Sequence, residues 1–280
     1  MSRLRLIGLV VLALMAFAGN SLLCRQALRV TPIDAATFTS VRLIAGAVAL
    51  WIIVRVRDRK GATGTWRSAL ALFAYAAAFS FAYTSLPAGT GALLLFGAVQ
   101  ATMIGYGLWR GERMRPAQVA GLLLAFAGLV VLTLPGVSAP PLQGALLMLA
   151  AGVAWGIYSL RGKGAGDPLR ATAGNFLRCV PLALASSLAA WHWFSPDAVG
   201  IAYAIASGAL TSGVGYAIWY TALPGLKATH AATVQLSVPV IAAIGGIVLL
   251  HEQVTLRLLL AAIAILGGIA LVVLDKPRLG

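Results

Sequence analysis

The sequence predicts an all-α integral membrane protein, with ten transmembrane helices arranged as two inverted five-helix repeats. Three observations carry this expectation. The 280 residues are 60% hydrophobic and only 10% charged, with a mean hydropathy of +0.93. So little charge suits lipid, which offers ionised side chains no partner. The apolar residues also gather into ten runs of roughly 20, each able to cross a ~30 Å hydrocarbon core at ~1.5 Å per residue. Finally, the chain repeats itself at half its own length. Tyr83-Thr84-Ser85-Leu86-Pro87 is echoed by Tyr220-Thr221-Ala222-Leu223-Pro224, at an offset of 137. Gly128-Leu129-Val130-Val131-Leu132 is echoed by Gly268-Ile269-Ala270-Leu271-Val272, at an offset of 140. Five spans per copy is an odd number. The second copy therefore enters the membrane from the side opposite to the first, with a pseudo-two-fold axis in the membrane plane.

Taken in order, the first repeat covers 1–137, with spans near 5–26, 34–54, 68–86, 90–109 and 116–134. The second covers 138–280, with spans near 142–160, 171–190, 198–221, 228–250 and 256–274. The opening segment has the outline of a signal peptide: Arg3 and Arg5, an apolar run, then Ala16-Phe17-Ala18. Its Ala18-Gly19 nevertheless stands 137 residues before Trp155-Gly156, in register with the repeat, so it is read as a retained first span. The fourth span of each copy runs to an acidic residue, Gly111-Glu112 in one and His251-Glu252 in the other. Gly152-x-x-x-Gly156 and Gly107-x-x-x-Gly111 offer small faces for close helix packing. Trp66, Trp109, Trp191 and Trp193 fall at span ends, where an interfacial aromatic belt belongs.

Loop charges set the expected orientation. With the N-terminus inside, 16 of the 21 Lys and Arg residues fall on the cytoplasmic side, and only Arg25, Arg29 and Arg257 on the other. Arg42 and Arg178 lie within spans. Basic loops stay on the cytoplasmic side of a membrane. Both termini are thus expected in the cytoplasm, with the chain in a bacterial inner membrane.

Several function classes are disfavoured. The net charge of +14 does not indicate nucleic acid, because the basic residues form short clusters between apolar runs rather than one face. Cys24 and Cys179 read as buried small hydrophobes, not as a disulfide or metal pair. His251-Glu252 opens like a metalloprotease helix motif, but position 255 is Thr where a second His is needed. No metal and no cofactor is expected. A channel would show a ring of repeated charges or a carbonyl-rich filter, and neither is visible. An intramembrane enzyme would need a nucleophile, base or metal set within the spans.

These halves, each closing its fourth span with Gly-Glu or His-Glu, resemble the paired EamA-type domains of the drug/metabolite transporter superfamily. Ala16-Phe17-Ala18-Gly19-Asn20 and Ala154-Trp155-Gly156 are similar to the opening helices of those domains. Leu236-Ser237-Val238-Pro239-Val240 is similar to the family's Pro-containing ninth helix, so Pro239 is expected to kink it. Val99 stands at the equivalent place in the first half, and a symmetric kink is not implied there. Among members, the chain looks most like bacterial amino-acid exporters, particularly those for aromatic amino acids. The resemblance implies a central cavity lined by spans 1, 3, 4, 6, 8 and 9. The expected partners are the lipid bilayer and a small organic substrate, handled by a monomer through alternating access.

Candidate substrate-facing residues follow from polarity inside apolar spans. Asn20, Gln100 and Gln235 are amides that lipid would leave unpaired. Each lines the cavity or makes an interhelical hydrogen bond. Tyr75, Phe79 and Tyr83 recur every four residues on the third span, while Trp155 with Tyr158 and Tyr216 with Trp219 supply further aromatic faces. These are either packing or the walls of a chamber suited to organic substrates, including cationic ones held over the ring faces, so export of cationic drugs is the alternative to amino acids. Arg42 and Arg178 correspond across the halves, each about 12 Å deep. Their partners could be carbonyls, a span-end carboxylate, water or a substrate carboxylate. His230 is either a titratable group in the pathway or an interfacial histidine. No Asp or Glu lies deep in a span, so an ion-coupling site is not expected.

Overall fold

The computed structural model describes residues 2–58, 61–111, 113–134, 139–162, 166–226 and 228–274. Among the described residues it is helical throughout, without strands. The first repeat contains α1 (Arg3–Val30), α2 (Ala35–Asp58), α3 (Trp66–Tyr83), α4 (Ala88–Trp109) and α5 (Pro116–Thr133). The second contains α6 (Leu142–Gly162), α7 (Pro168–Ala189), α8 (Ala198–Gly225), α9 in two segments (Ala228–Gln235 and Ser237–Leu250) and α10 (Leu256–Leu274). The ten apolar runs thus become ten helices. Seven are long and apolar enough to span a membrane on those grounds alone. The other three are α3, α7 and α9. Tyrosines and Arg67 dilute α3, Asn175 and Arg178 dilute α7, and α9 is broken.

Carboxylates and prolines mark the helix starts. Asp34 accepts from the Thr37 amide at 2.8 Å, Asp167 from Leu169 at 3.0 Å, and Asp197 from Gly200 at 2.7 Å. Each satisfies an N–H that the first turn leaves unpaired, and its charge faces the positive end of the helix dipole. Pro116 and Pro168 stand at first helical positions, where a missing N–H is harmless. In α9 the chain opens at Leu236, between its two segments. Pro239 explains this, because it cannot donate to the Gln235 carbonyl and its ring would collide there. The interruption lies three residues upstream of the proline, and the Leu236 backbone there stays right-handed helical (φ −65°, ψ −16°).

One feature went unanticipated. Within α8, Ala206–Val214 winds as a π-helix, a form that concentrates at functional sites.

Helix pairing follows the duplication. α3 packs on α6 and α8 on α1; α4 packs on α6 and α9 on α1. The helices α2 and α7, α4 and α9, and α5 and α10 meet their own counterparts across the pseudo-two-fold axis. The α5–α10 contact depends on glycine. A Cβ on Gly121 would lie 2.6 Å from the Gly268 carbonyl, and one on Gly268 2.3 Å from the Gly121 carbonyl. Gly152 and Gly156 likewise let α6 approach α4 at Ala98 and Thr102, so that motif is a packing face.

Trp66, Trp109, Trp191 and Trp193 are all exposed at helix ends, as a belt requires. Cys24 and Cys179 are buried free thiols. Glu112 and Asp275 lie outside the described residues, as do the basic residues Arg59, Lys60, Lys163, Lys227, Lys276 and Arg278.

Candidate functional site

The polar centre of the bundle is built from α1, α2, α3 and α8. Asn20 on α1 is buried, and its amide nitrogen donates to the Tyr75 hydroxyl at 3.3 Å. Its Oδ1 accepts from Ser207 at 2.7 Å and Thr211 at 3.4 Å, both on the π-helical stretch of α8. Asn20 therefore joins the two repeats through hydrogen bonds across their interface. The α8 backbone comes very close here. A Cβ on Gly208 would stand 2.1 Å from the Arg42 carbonyl, so only glycine allows α2 and α8 this contact.

Arg42 is the most unusual side chain of the centre. It is 2% exposed, and one Nη donates to the Tyr75 hydroxyl at 3.3 Å. Its Cζ lies 4.8 Å from the Phe79 ring centroid and 5.5 Å from that of Tyr75. The Nε and Nη1 atoms are buried and have no hydrogen-bond partner. Among the described residues, it forms no salt bridge. Placing such a charge mid-span costs about 2.5–3.5 kcal/mol on insertion scales. Two ring faces in a desolvated setting return about 2 kcal/mol or more, as a cation over aromatic quadrupoles. Packing can thus hold the arginine in place while leaving two of its donor atoms unsatisfied.

Arg178 differs, although the repeat makes it the counterpart. It is half-buried, and its Nη1 donates to the Thr63 and Gly174 carbonyls at 2.9 Å each. The Thr63 bond fastens α7 to the chain between α2 and α3. The Thr65 amide, which donates to Asn175 Oδ1 at 2.9 Å, strengthens the same junction.

A ladder of rings runs through the centre. Tyr83 meets Phe79 (centroids 4.7 Å apart), Phe79 meets Tyr75 (5.4 Å), and Tyr75 meets Trp155 (4.7 Å). Trp155 stacks on Tyr216 at 5.7 Å, and Phe17 continues from Tyr216 to Trp219 at 5.7 and 5.8 Å. Tyr158 branches off Trp155 at 5.3 Å. Its hydroxyl donates to Thr172 at 3.2 Å and accepts from Asn175 at 3.4 Å.

Most of the sequence-nominated residues come together here: Asn20, Arg42, Tyr75, Phe79, Trp155, Tyr158 and, through Phe17, Trp219. Tyr83 is fully buried, but its hydroxyl donates to the Ala88 carbonyl at 3.2 Å. That bond serves the α3–α4 turn. Gln100 is buried on α4 and Gln235 half-buried at the α9 break, both outside the hydrogen-bonded cluster. His230 is exposed near the start of α9. Phe17, Ser207 and Thr211 were not singled out from sequence. The spacing of Ser207 and Thr211, one helical turn apart in an apolar span, was the available signal.

At one end of the ladder the two repeats are tied by ions. Glu252 follows α9, where His251 adopts a left-handed backbone (φ 52°). Its Oε1 accepts from Arg25 Nε of α1 at 3.1 Å, and its Oε2 from the Ala88 amide at 2.8 Å. Asp34, Asp167 and Asp197 each cap the helix that follows them, and Asp34 Oδ2 also accepts from the Ser195 amide of the other repeat at 3.0 Å, whereas Glu252 caps α4 of the other repeat. Arg25 also donates to the Tyr83 and Thr84 carbonyls at 3.0 and 3.2 Å, and Arg29 to the Leu250 carbonyl at 2.8 Å. At the opposite end Arg57 pairs with Asp167, and Arg170 donates to the Gly61 carbonyl at 2.7 and 2.9 Å. Elsewhere, a groove of about 340 Å³ between α4, α9 and α10 is lined by side chains such as Leu93, Ile244 and Ile263. It carries no convergent polar groups, and exposed apolar lining is what a lipid-facing surface presents.

Ten helices in two inverted halves, meeting at a buried polar and aromatic centre, define a multi-pass membrane carrier. The chain belongs to the EamA-like transporter family, whose profile matches residues 4–134 and again 142–274. It is 57% identical over 278 residues to an uncharacterized protein of Pseudomonas aeruginosa, covering 99% of this chain and 96% of that one. It is 36% identical over 163 residues to the threonine/homoserine exporter RhtA of Escherichia coli K12, a match spanning 55% of this chain and 54% of RhtA. A crystal structure at 20% identity, covering 99% of this chain and all of the other, superposes with a TM-score of 0.68 and shares the fold.

Proposed function

We propose that this transporter exports small organic metabolites, chiefly amino acids including aromatic ones, across a bacterial inner membrane by alternating access. The observation that carries this reading is the centre itself. Asn20, Tyr75, Ser207 and Arg42 place hydrogen-bonding groups beside an aromatic wall, where the two repeats meet. A zwitterion with an organic side chain needs both kinds of surface. The likeness to RhtA, a threonine/homoserine exporter, supports the amino-acid class. The ionic tie at Glu252 supports alternation, because it closes one end of the interface with few groups, all able to separate. Both termini lie in the cytoplasm on this reading, and the chain acts as a monomer.

Export follows the substrate's own gradient. The four described carboxylates in contact with a helix N-terminus, Asp34, Asp167, Asp197 and Glu252, stand at helix ends. A coupling ion shifts a conformational equilibrium only by binding the two states differently. His230, the titratable group that a proton-coupled scheme would use, is exposed. The test uses purified protein in liposomes with a panel of labelled amino acids and cationic drugs. Amino-acid flux should persist without any ion gradient, and imposed pH or sodium gradients should not produce accumulation. Uphill accumulation abolished by an ionophore would refute gradient-following export, and flux of the drugs alone would refute the substrate class.

A further inference from the structure

We infer that Arg42 is the anchor for a carboxylate on the transported molecule, so the central site takes carboxylate-bearing substrates and rejects cations that lack one. This deepens the amino-acid reading above and rests on it. Arg42 is 2% exposed, and its Nε and Nη1 have no partner. A guanidinium presents its donors as a planar fork that fits the two oxygens of a carboxylate. Nε and Nη1 belong to its two different edges, Nε beside Nη2 along the side and Nη1 beside Nη2 at the end, so each edge offers an unsatisfied nitrogen, and Nη2 carries a second hydrogen besides the one given to Tyr75. Other described arginines of the helices find acceptors. Arg25 has Glu252, Arg29 has Leu250, and Arg178 has Thr63 and Gly174.

The surroundings also indicate a ligand rather than an internal ion pair. Tyr75 receives hydrogen bonds from both Asn20 and Arg42, so its hydroxyl holds amide and guanidinium on one side of the aromatic ladder. Phe79 and Tyr75 flank the cation and fix its plane without using its remaining donors. The π-helical stretch supplies Ser207 and Thr211 to Asn20. The arginine is thus positioned by neutral groups and left with a positive field. A cation brought here would meet that field in a low-dielectric setting, which excludes it more strongly than any contact attracts it.

Equilibrium binding to the purified full-length protein in detergent tests this, read by calorimetry and by ligand-induced Tm shift. The probes are L-threonine, L-phenylalanine and their methyl esters. The acids should bind the wild type roughly 100-fold more tightly than the esters, the size expected for charge-assisted, bidentate bonds. In Arg42→Gln the acids should weaken by about that factor while the esters do not, bringing the ratio near one. Arg42→Lys keeps the charge but not the fork, and should fall between. Should Arg42→Gln fail to fold, the Lys variant and the wild-type acid-to-ester ratio decide. Equal binding of acid and ester, no binding of either acid, or a ratio unchanged in both variants overturns the assignment. If carboxylates bind through Arg42 but do not cross proteoliposomes, the transport reading fails and the anchor stands.

Discussion

Replacing Glu252 by Gln removes one charge from the tie between the repeats and leaves its shape intact. Two contacts are affected. The Arg25–Glu252 bond, 3.1 Å long between side chains 13% and 9% exposed, is charge-assisted, a class worth about 1.5–3 kcal/mol. The carboxylate at the N-terminus of α4, 2.8 Å from the Ala88 amide, adds about 0.3–1 kcal/mol through the helix dipole. Gln retains an oxygen for Ala88, and the open state rehydrates the freed groups, so a net bias of ~2 kcal/mol is a fair figure. At 1.4 kcal/mol per decade that raises the population open at this end by ~30-fold. Cys24 reports the change without engineering. It is fully buried on α1, one residue before Arg25. Where reclosing outruns labelling, its rate of reaction with a thiol reagent tracks the open population. Cys179, buried on α7 with its Sγ 3.2 Å from the Ala69 carbonyl, serves as the control. Glu252→Gln should accelerate Cys24 by about 30-fold and leave Cys179 unchanged. An unchanged Cys24 rate, or equal acceleration of both thiols, would refute the gating role.

Gly208→Ala puts a methyl against the Arg42 carbonyl, 2.1 Å from its ideal position, so α2 and α8 must part. Membrane yield and Tm should drop sharply, and a variant as stable as wild type would show that this approach carries no load. For orientation, Ala139→Cys and Gly162→Cys, in a background without Cys24 and Cys179, should label from opposite sides of the membrane. Labelling of both from one side would contradict the inverted halves.

What could be read from the sequence, and what could not, divides along a physical line. The ten helices were legible because lipid imposes length and apolarity on every span, and the repeat because matching residues keep their spacing along the chain. The partners of individual polar groups were not. Asn20, Gln100 and Gln235 look alike as amides in apolar runs, yet only Asn20 meets Tyr75, Ser207 and Thr211. In α4 nearly every face is apolar, so helical periodicity cannot show which way Gln100 points. Tyr83 shares the four-residue spacing of Tyr75 and Phe79, but it lies close enough to the α3–α4 turn to bond the Ala88 carbonyl instead. Glu252 was visible as the acid that closes the fourth span of its repeat, while its partner Ala88, 164 residues away, was not. The π-helical turn of α8 left no pattern that hydropathy could detect.

The two arginines within the spans, Arg42 and Arg178, differ in what they bond. Duplication placed Arg42 and Arg178 at matching depths, and a strictly symmetric protein would give them matching partners. Instead Arg178 satisfies carbonyls at the junction of α7 with the α2–α3 connection, and Arg42 keeps two donors free beside the rings of Tyr75 and Phe79. One arginine thus bonds the scaffold, and the other stands at the centre with donors free. Under alternating access this division makes sense. The packed pairs α2–α7 and α5–α10 can persist in both states as the fixed frame. What must change is the set of contacts around α1, α3, α4, α8 and α9. At the Arg25 end these include two polar bonds to Glu252, few enough that the substrate's own differential affinity can tip the balance.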